Sequence, residues 1–314
     1  MINWGILGFG RMGLAFANAI EETTNSKLVC IASKSGKKFK EFENFSYEDL
    51  INNNKVDAIY ISTLNNTHID LIKNISKTGK KILCEKPVSL SLEALKEVEK
   101  LIVKKKIQFY EAIAYYSHPQ TLEVLNLIKE NEIGEIINIE CNFGFKARFK
   151  PDSRLFNESL GGGSIYDLGC YPISFFLLFA KDYNKISIAS KSLNYAESGV
   201  DDEANLILNY DNKFEGRLNI SLKSQLNNNC IINCTNGYIK INEPWFPAKK
   251  TNIETSINGH YFIKTINSNL SVYANQIQNV SESFKNNNKN NNLFDINKSI
   301  SNMKLIENWL KKEN

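Results

Sequence analysis

The sequence predicts a two-domain α/β protein: an amino-terminal parallel sheet flanked by helices, then an α+β domain with a large, mostly antiparallel sheet. Three observations support this prediction. The 314 residues exceed the usual size of one hydrophobic core. The first third alternates short apolar runs with helical periodicity, whereas many short strand-like runs follow residue 119. We therefore expect domains at residues 1–118 and 119–314.

Composition excludes several classes of protein. Hydrophobic residues make up 42% of the chain, which is typical of globular domains. The net charge is only +4 and lysines are interleaved with glutamates, so we expect no nucleic-acid partner. No apolar run reaches the roughly 20 residues that span a bilayer, and the amino terminus lacks a signal-peptide pattern. We expect a cytoplasmic protein without a membrane partner.

Six cysteines are scattered through the chain and form no CxxC pair. Cys230 and Cys234 are close in sequence, but no histidine lies near them. We therefore predict buried free thiols and no metal site.

A glycine-rich turn follows the first predicted strand, Ile2 to Leu7, and precedes a helical pattern. Strand, glycine turn and helix in this order predict a Rossmann dinucleotide-binding domain, with phosphates on the helix N-terminal N–H groups. The first glycine permits the turn, the second admits the pyrophosphate and the third allows close packing. An ordinary glycine turn is the alternative. The predicted cofactor contacts are Gly8, Phe9, Gly10, Arg11, Met12 and Gly13.

The second predicted strand, Lys27 to Ala32, bears on the choice of cofactor. An acidic residue at its end would bind a ribose 2′-hydroxyl, but this chain has Ser33 and Lys34, with Lys37 and Lys38 soon after. A hydroxyl and ammonium groups suit a 2′-phosphate. We therefore favour NADP(H), with NAD(H) as the alternative; Lys34 could equally point into water.

Polar residues follow the next two predicted strands, where open α/β sheets bind their ligands. Thr63, Asn65 and His68 follow the strand from Val56 to Ser62 and are predicted to contact the cofactor. For His68 alone, a helix-start residue with a satisfied ring is the commoner interpretation. Glu85, Lys86 and Pro87 follow the strand from Lys80 to Cys84. This lysine could bind a substrate hydroxyl, or form a surface ion pair before a helix that begins near Ser91.

The second domain begins with a predicted helix from Thr121 to Asn131. Alternating residues of the segment GRLNISLKS predict one apolar sheet face. Six strands are predicted, over 136–143, 186–193, 203–210, 214–221, 229–234 and 238–241. Helices are expected to cover one side of the sheet, one of them around Ser174 to Ala180. A last helix, about 297–312, carries an apolar stripe of Ile300, Met303, Ile306 and Leu310.

Four motifs occur in order: GFGRMG, EKP, EAIAYYSHPQ at 111–120 and SRLFNESLGGGSIYDLGCYP at 153–172. Together they resemble the glucose-fructose oxidoreductase, inositol dehydrogenase and rhizopine-catabolism (Gfo/Idh/MocA) family. The final tyrosine is similar to the branch with dimeric dihydrodiol dehydrogenase and NADP-dependent D-xylose dehydrogenase. The resemblance spans nearly the whole chain.

The resemblance implies a dehydrogenase that interconverts a secondary alcohol and a carbonyl on a sugar or sugar-like polyol. Tyr171 would be the proton carrier, and Lys86 would hold the same hydroxyl and lower the phenol's pKa from about 10. Asp167 would orient other substrate hydroxyls. The family also implies a homodimer or homotetramer through the open sheet face, and a tail helix that packs near the first domain.

The segment around Tyr171 carries two further expectations. The family implies that Gly161 to Gly163 run close to the nicotinamide, where a side chain would collide with cofactor or substrate. Ser164 is predicted to cap a helix with Asp167 as its capping-box partner, which would place Asp167 and Tyr171 on one face. Pro172 could kink or restart that helix.

Two departures from the family pattern leave the substrate open. The arginine usual before the His118-Pro119 pair is absent, and Asn157 stands where aspartate is common. A nucleotide-linked or amino sugar is therefore an alternative substrate. A non-catalytic NADP-binding regulator is the other alternative, although it would have no need of Lys86, Asp167 and Tyr171 together.

Overall fold

A parallel sheet of six strands forms the centre of the first unit. Its strand order is β3-β2-β1-β4-β5-β6, which is the order of the Rossmann fold and confirms that prediction. The strands are β1 (Ile2–Leu7), β2 (Ser26–Ala32), β3 (Asn44–Phe45), β4 (Ala58–Ile61), β5 (Lys81–Cys84) and β6 (Phe109–Glu111).

Helices are numbered along the chain, and the first four cover this parallel sheet. They are α1 (Arg11–Ala19), α2 (Tyr47–Asn52), α3 (His68–Ile75) and α4 (Leu92–Lys105). Phe16 of α1 stacks on Tyr60 of β4 with ring centroids 4.1 Å apart. The Ser91 hydroxyl accepts a hydrogen bond from the N–H of Ala94, so α4 begins where the sequence predicts.

The second unit contains an eight-stranded sheet in the order β14-β13-β12-β11-β7-β10-β9-β8. Only the pair of β7 and β10 is parallel, which confirms a mostly antiparallel sheet. The strands are β7 (Ile136–Gly144), β8 (Ile186–Tyr195), β9 (Asp201–Tyr210), β10 (Phe214–Ser221), β11 (Asn229–Cys234), β12 (Gly237–Ile241), β13 (Lys250–Ile257) and β14 (His260–Asn267). Sequence analysis predicted six of them and missed β13 and β14.

One face of this sheet is apolar, as alternation in β10 predicts. Leu218 and Ile220 are buried there, and the face packs against α6 (Cys170–Leu177), which follows α5 (Pro119–Glu130). The opposite face carries asparagines that bond across strands. The Asn219 amide donates to Asn142 at 2.8 Å, and the Asn142 amide donates to Asn229 at 2.9 Å. A row of hydrogen-bonded amides tolerates solvent.

The structure is a computed structural model that describes residues 1–36, 39–288 and 290–311. The chain divides into two units. Met1–Ser117 and Leu270–Ile300 form the first, while His118–Asn269 and the chain from Ser301 onward form the second. The predicted domain boundary lies between residues 118 and 119, and the chain first passes from one unit to the other between Ser117 and His118. The prediction was wrong in assigning 270–300 to the second domain.

The last two helices account for that difference. Helix α7 (Val272–Asn286) belongs to the first unit, where the Trp4 indole donates to the Ser281 hydroxyl at 3.0 Å. Helix α8 (Ile296–Leu310) ends in the second unit, where the Trp309 indole donates to the Asn205 carbonyl at 3.0 Å. The tail helix is thus shared: its start, up to Ile300, belongs to the first unit, and the rest belongs to the second. The predicted helix end at residue 312 lies outside the described residues.

Candidate active site

In the turn after β1, steric contacts explain why the first and last of the three motif residues are glycine. Gly8 has a φ of +90°, and a methyl group on it would lie 2.8 Å from the Ser62 carbonyl. A methyl group on Gly13 would lie 2.5 Å from the Gly8 carbonyl oxygen. The Ser62 hydroxyl donates to that same oxygen at 2.6 Å and holds the turn. Ser62 was not singled out from sequence.

The amino terminus of α1 fits a dinucleotide phosphate. Gly10 precedes the helix in an extended conformation, no side chain caps it, and a methyl group there would meet no atom within 4 Å. A phosphate can thus approach the first helical N–H groups. Arg11 is exposed and Met12 is partly exposed. The Phe9 ring is buried and packs against Phe39.

The end of β2 is held by Asn44, which sequence analysis missed. Its side chain accepts from the N–H of Ser33 at 2.7 Å and donates to the Ser33 carbonyl at 3.0 Å. The Ser33 hydroxyl lies 2.9 Å from that of Ser35. Lys34 is exposed, with its ammonium 5.6 Å from the centroid of the Tyr47 ring. The predicted contributions of Lys37 and Lys38 lie outside the described residues.

The segment after β4 leaves Thr63 and Asn65 partly exposed, but it buries His68 completely. The His68 ring nitrogens lie 3.0 Å from the Pro87 carbonyl oxygen and 3.3 Å from that of Thr63. Burial lowers the pKa of His68 to about 4, so the ring is neutral. The prediction that its side chain contacts a cofactor does not fit this geometry. His68 instead joins the segments that follow β4 and β5.

Lys86 follows the end of β5, directly after the buried Glu85, and its charge also acts on the buried Glu111. Glu85 accepts a hydrogen bond from the Tyr60 hydroxyl, and burial together with Glu85 raises the Tyr60 pKa well above its usual value. Glu111 of β6 accepts from the N–H of Val88 at 3.1 Å. These contacts fix the backbone on both sides of Lys86, which itself is partly exposed.

Glu111 and Tyr273 interact electrostatically with Lys86, and sequence analysis did not single out either residue for the site. Burial raises the pKa of the Glu111 carboxyl to about 7, and the charge of Lys86 acts in the opposite direction. Burial and Glu85 also raise the Tyr273 pKa, while Arg11 and Lys86 lower it. Glu111 begins the motif EAIAYYSHPQ and is an acid at the end of an apolar strand, but neither feature indicates a contact with Lys86. Tyr273 lies on α7, far away in sequence.

We expect Glu111→Gln to remove a pH-dependent loss of stability. Glutamine keeps an acceptor for Val88 but cannot ionise. The raised pKa means that the carboxyl favours the folded state fully below its unfolded value near 4.5, and that this contribution is lost as pH rises through about 7. Between about pH 5 and pH 8, the wild-type free energy of unfolding should fall by up to about 3 kcal/mol relative to the variant.

Urea unfolding at several pH values measures this difference. Glu132→Gln, at an exposed position, is the matched control and should track the wild type. A gap between wild type and Glu111→Gln that stays constant with pH would contradict the assignment.

Tyr171 lies in α6 of the second unit within a cage of aromatic rings. Its ring centroid is 5.3 Å from that of Phe143, 5.5 Å from Phe246 and 6.1 Å from Trp245. The side chain is only 7% exposed. Edge contacts of this kind fix the orientation of the phenol ring.

Asp167 is buried and accepts from the Arg154 guanidinium at 2.9 Å. The predicted capping box between Ser164 and Asp167 is wrong: Ser164 is itself helical, and its hydroxyl donates to Asp201 at 2.6 Å. The N–H of Ile165 donates to the same Asp201 oxygen at 2.7 Å. Asp201 therefore caps this turn from another strand.

A π-helical turn, Ile165–Gly169, precedes α6, so Asp167 lies in the π turn and Tyr171 in the α-helix that follows it. The helix restarts at Cys170 and runs through Pro172. A restart was anticipated from the proline, but a π turn was not.

Backbone conformation and packing within the second unit explain the three consecutive glycines, Gly161 to Gly163. Gly161 and Gly163 have φ values of +75° and +115°. A methyl group on Gly162 would lie 2.8 Å from the Asn157 carbonyl oxygen, and one on Gly163 would overlap the Asp201 carboxylate. Close packing against residues 155–157 and Asp201 therefore requires small residues here, independently of any bound cofactor or substrate.

We expect Gly163→Ala to destabilise the protein by about 2–3 kcal/mol, because it combines a left-handed backbone with the displacement of Asp201. Gly199→Ala is the control, since its φ is +85° and its methyl group would meet no atom within 4 Å. Gly199→Ala should lower the free energy of unfolding by about 1 kcal/mol. Thermal unfolding compares the two, and equal losses would show that Asp201 contributes nothing.

All six cysteines are buried free thiols, as predicted. Among the residues that the structure describes, no group of three or more His, Cys, Asp or Glu side chains could hold a metal ion. Nor does any helix in the described ranges have the length and apolar character required to cross a bilayer.

Comparison with known proteins connects the two units to one family. Residues 2–112 match the family model described as the oxidoreductase family with an NAD-binding Rossmann fold, GFO_IDH_MocA. Residues 121–240 match the model of the GFO/IDH/MocA C-terminal domain. The two models therefore match both the parallel-sheet domain and most of the second sheet.

Curated relatives and solved structures agree with these matches. Trans-1,2-dihydrobenzene-1,2-diol dehydrogenase of Xenopus tropicalis is 29% identical over 78% of this chain and 77% of the relative. D-xylose 1-dehydrogenase (NADP(+)) 2 of Haloferax volcanii is 25% identical over 76% and 75%. A 3-ketoreductase of Actinomadura kijaniata with NADP and TDP-benzene shares the fold, with a TM-score of 0.88, 20% identity and coverage of 98% and 96%. The chain belongs to the Gfo/Idh/MocA family of oxidoreductases.

Proposed function

We propose that this protein is an NADP(H)-preferring dehydrogenase that interconverts a secondary alcohol and a carbonyl on a sugar or sugar-like polyol. The proposal rests on the position of Lys86 in a chain of this oxidoreductase family. Lys86 lies at the end of β5, where Glu85 accepts from Tyr60 and Glu111 accepts from the N–H of Val88. Ligands of open α/β sheets bind at such strand ends. The named relatives act on diols and xylose, which supports the substrate class.

Each residue has a stated part in this proposal. In carbonyl reduction, Tyr171 gives its phenolic proton to the substrate oxygen, and the Lys86 ammonium donates a hydrogen bond to that oxygen. Asp167 accepts from neighbouring substrate hydroxyls, with its carboxylate oriented by Arg154. In alcohol oxidation Tyr171 takes the proton. A bound nicotinamide dinucleotide supplies hydride chemistry in either direction.

NADP(H) is proposed as the preferred cofactor because the β2 end presents Ser33 and Lys34 and no acid. The Haloferax relative is named for NADP(+), and the Actinomadura structure contains NADP. A phosphate dianion is stabilised by hydroxyl and ammonium donors, whereas an acid would repel it. NAD(H) remains the alternative cofactor.

Two other functions are retained as alternatives. A nucleotide-linked or amino sugar is one, favoured by the TDP-benzene in the Actinomadura 3-ketoreductase structure. A non-catalytic NADP-binding regulator is the other. Together with the leading proposal, they predict different outcomes in one assay.

A screen of aldoses, inositols, diols and sugar nucleotides with both cofactors tests the proposal through the absorbance of the reduced nicotinamide. We expect turnover of a sugar or polyol, with kcat/KM at least about tenfold higher for NADP(H) than for NAD(H). Cofactor binding without turnover on the whole panel would favour the regulator and refute the proposed activity.

We also propose a homodimer or homotetramer that forms through the second unit's sheet. Tyr261, Phe262 and Ile263 on edge strand β14 are 52–57% exposed, an apolar run that supports burial by a second copy.

We expect Phe262→Glu to weaken this association by placing a charge in the apolar contact, so that light scattering reports the 35.7 kDa monomer. Tyr195→Glu, also at an exposed aromatic residue of the sheet, should leave the mass unchanged. An oligomer that survives Phe262→Glu would place the interface elsewhere.

A further inference from the structure

A cavity of about 600 Å³ lies at one end of the second unit's sheet. Its lining includes Phe143 near the end of β7, residues 225–229 before and at the start of β11, and residues 242, 243, 245 and 246 after β12. Sites for small-molecule ligands have volumes of about 300–1,000 Å³. The cavity is thus large enough for such a ligand, and no step of the proposed mechanism uses it.

The cavity adjoins Tyr171. Phe143, Trp245 and Phe246 line it, and each of these rings also contacts the Tyr171 ring. Phe143 and Trp245 are almost completely buried, whereas Phe246 is 45% exposed. An exposed ring beside the proposed proton carrier offers an apolar surface to a ligand that extends beyond the reacting group.

Hydrogen bonds hold the amide-rich loop of the cavity in place. The Asn228 side-chain oxygen accepts from the N–H of Gly144 at 2.8 Å, and the Asn142 amide donates to Asn229 at 2.9 Å. A methyl group on Gly144 would lie 2.7 Å from Leu226 Cγ, so the loop packs directly on the β7 backbone. The loop therefore presents Asn227 from a fixed backbone, with its side chain exposed.

Charge in the cavity disfavours a nucleotide diphosphate. Lys240 is the one cationic side chain among the described residues of the lining, and its ammonium lies 3.3 Å from the Glu254 carboxylate. Glu243 adds a negative charge. Phosphate groups are bound by unpaired cations or helix amino termini, so a diphosphate would gain little here.

We propose that this cavity binds a second, neutral sugar unit, so that the enzyme acts on a disaccharide or another glycoside whose reacting ring lies at Tyr171. Side-chain amides donate to and accept from sugar hydroxyls, and the Phe246 ring covers the apolar face of a sugar ring. This inference rests on the proposed function, because it takes Tyr171 as the marker of the reacting ring.

Steady-state kinetics with glucose, cellobiose, maltose, lactose and dTDP-glucose test the inference. We expect at least one disaccharide to exceed glucose in kcat/KM by about tenfold or more, and to exceed dTDP-glucose as well. Asn227→Ala and Phe246→Ala should each lower the disaccharide-to-glucose ratio severalfold. Tyr195→Ala, which removes an exposed aromatic ring outside the cavity, should preserve that ratio.

Equal kcat/KM values for glucose and all three disaccharides, or a preference for dTDP-glucose, would overturn the inference. A binding measurement separates this result from failure of the proposed function. Disaccharide binding should change the fluorescence of Trp245, and Trp245→Phe should remove that change. If the wild type shows this signal without any turnover, the sugar site stands and the dehydrogenase proposal falls.

Discussion

Tyr171→Phe should lower kcat by about 10²–10⁴-fold, because it removes the proposed proton carrier and little else. The phenyl ring keeps its contacts with Phe143, Trp245 and Phe246, so folding should be preserved. Cofactor affinity, measured by quenching of NADPH fluorescence, should stay within about twofold of the wild type.

Tyr166→Phe provides the matched control, because it removes a phenolic hydroxyl from the same helical segment. Burial raises the pKa of Tyr166 to about 12, which makes this phenol a poor proton carrier near neutral pH. We expect that variant to keep its activity. If Tyr171→Phe turned over at the wild-type rate, Tyr171 would not be the acid or base of this reaction.

Lys86→Met should lower kcat/KM by about 10²–10³-fold, as expected when a charged donor to the reacting oxygen is lost. Methionine keeps most of the side-chain length, and the contacts of Glu85 with Tyr60 and of Val88 with Glu111 involve neighbouring groups. The backbone should therefore remain in place, and the loss should come from the missing ammonium.

Lys96→Met on the exposed side of α4 is the control and should have no effect on kcat/KM. Lys86→Arg keeps the positive charge but not the compact ammonium, so we expect partial activity. Full activity in Lys86→Met would show that Lys86 is a surface residue before α4 with no part in the reaction, which is the other interpretation of its position in the sequence.

The glycine turn shows what local sequence can predict. Gly8, Gly10 and Gly13 have distinct steric surroundings in the structure, and these agree with a pattern read from strand, turn and helix alone. Such a motif is predictable because its spacing and its structural consequence lie within one βα unit. Four of the six strands of the first unit were predicted in the same way, whereas the short strands β3 and β6 were not.

The second unit was predicted less completely, for two different reasons. The hairpin of β13 and β14 was missed although Asn258 and Gly259, with φ values of 50° and 83°, form the usual two-residue hairpin signal between the two strands. The sequence therefore contained a signal for this hairpin. It contained no signal for the return of α7 to the first unit, because helical periodicity does not indicate which distant surface covers an apolar stripe.

The site shows a similar limit for polar residues. Asp167 was predicted to pair with Ser164, three residues away, but Asp167 accepts from Arg154 and Ser164 donates to Asp201. The burial of His68 and of Glu111 depends on neighbouring strands that only the fold brings together. Local spacing identified residues with suitable chemistry, whereas their partners depend on tertiary packing.

A double-mutant cycle on Lys86 and Tyr171 tests the central proposal most directly, namely that both side chains act on one substrate oxygen. Lys86→Met, Tyr171→Phe and the combined variant are compared by kcat/KM. If the two groups act as a unit, the double variant should lose about as much activity as the more damaging single variant. Losses that multiply as independent factors would contradict the proposal.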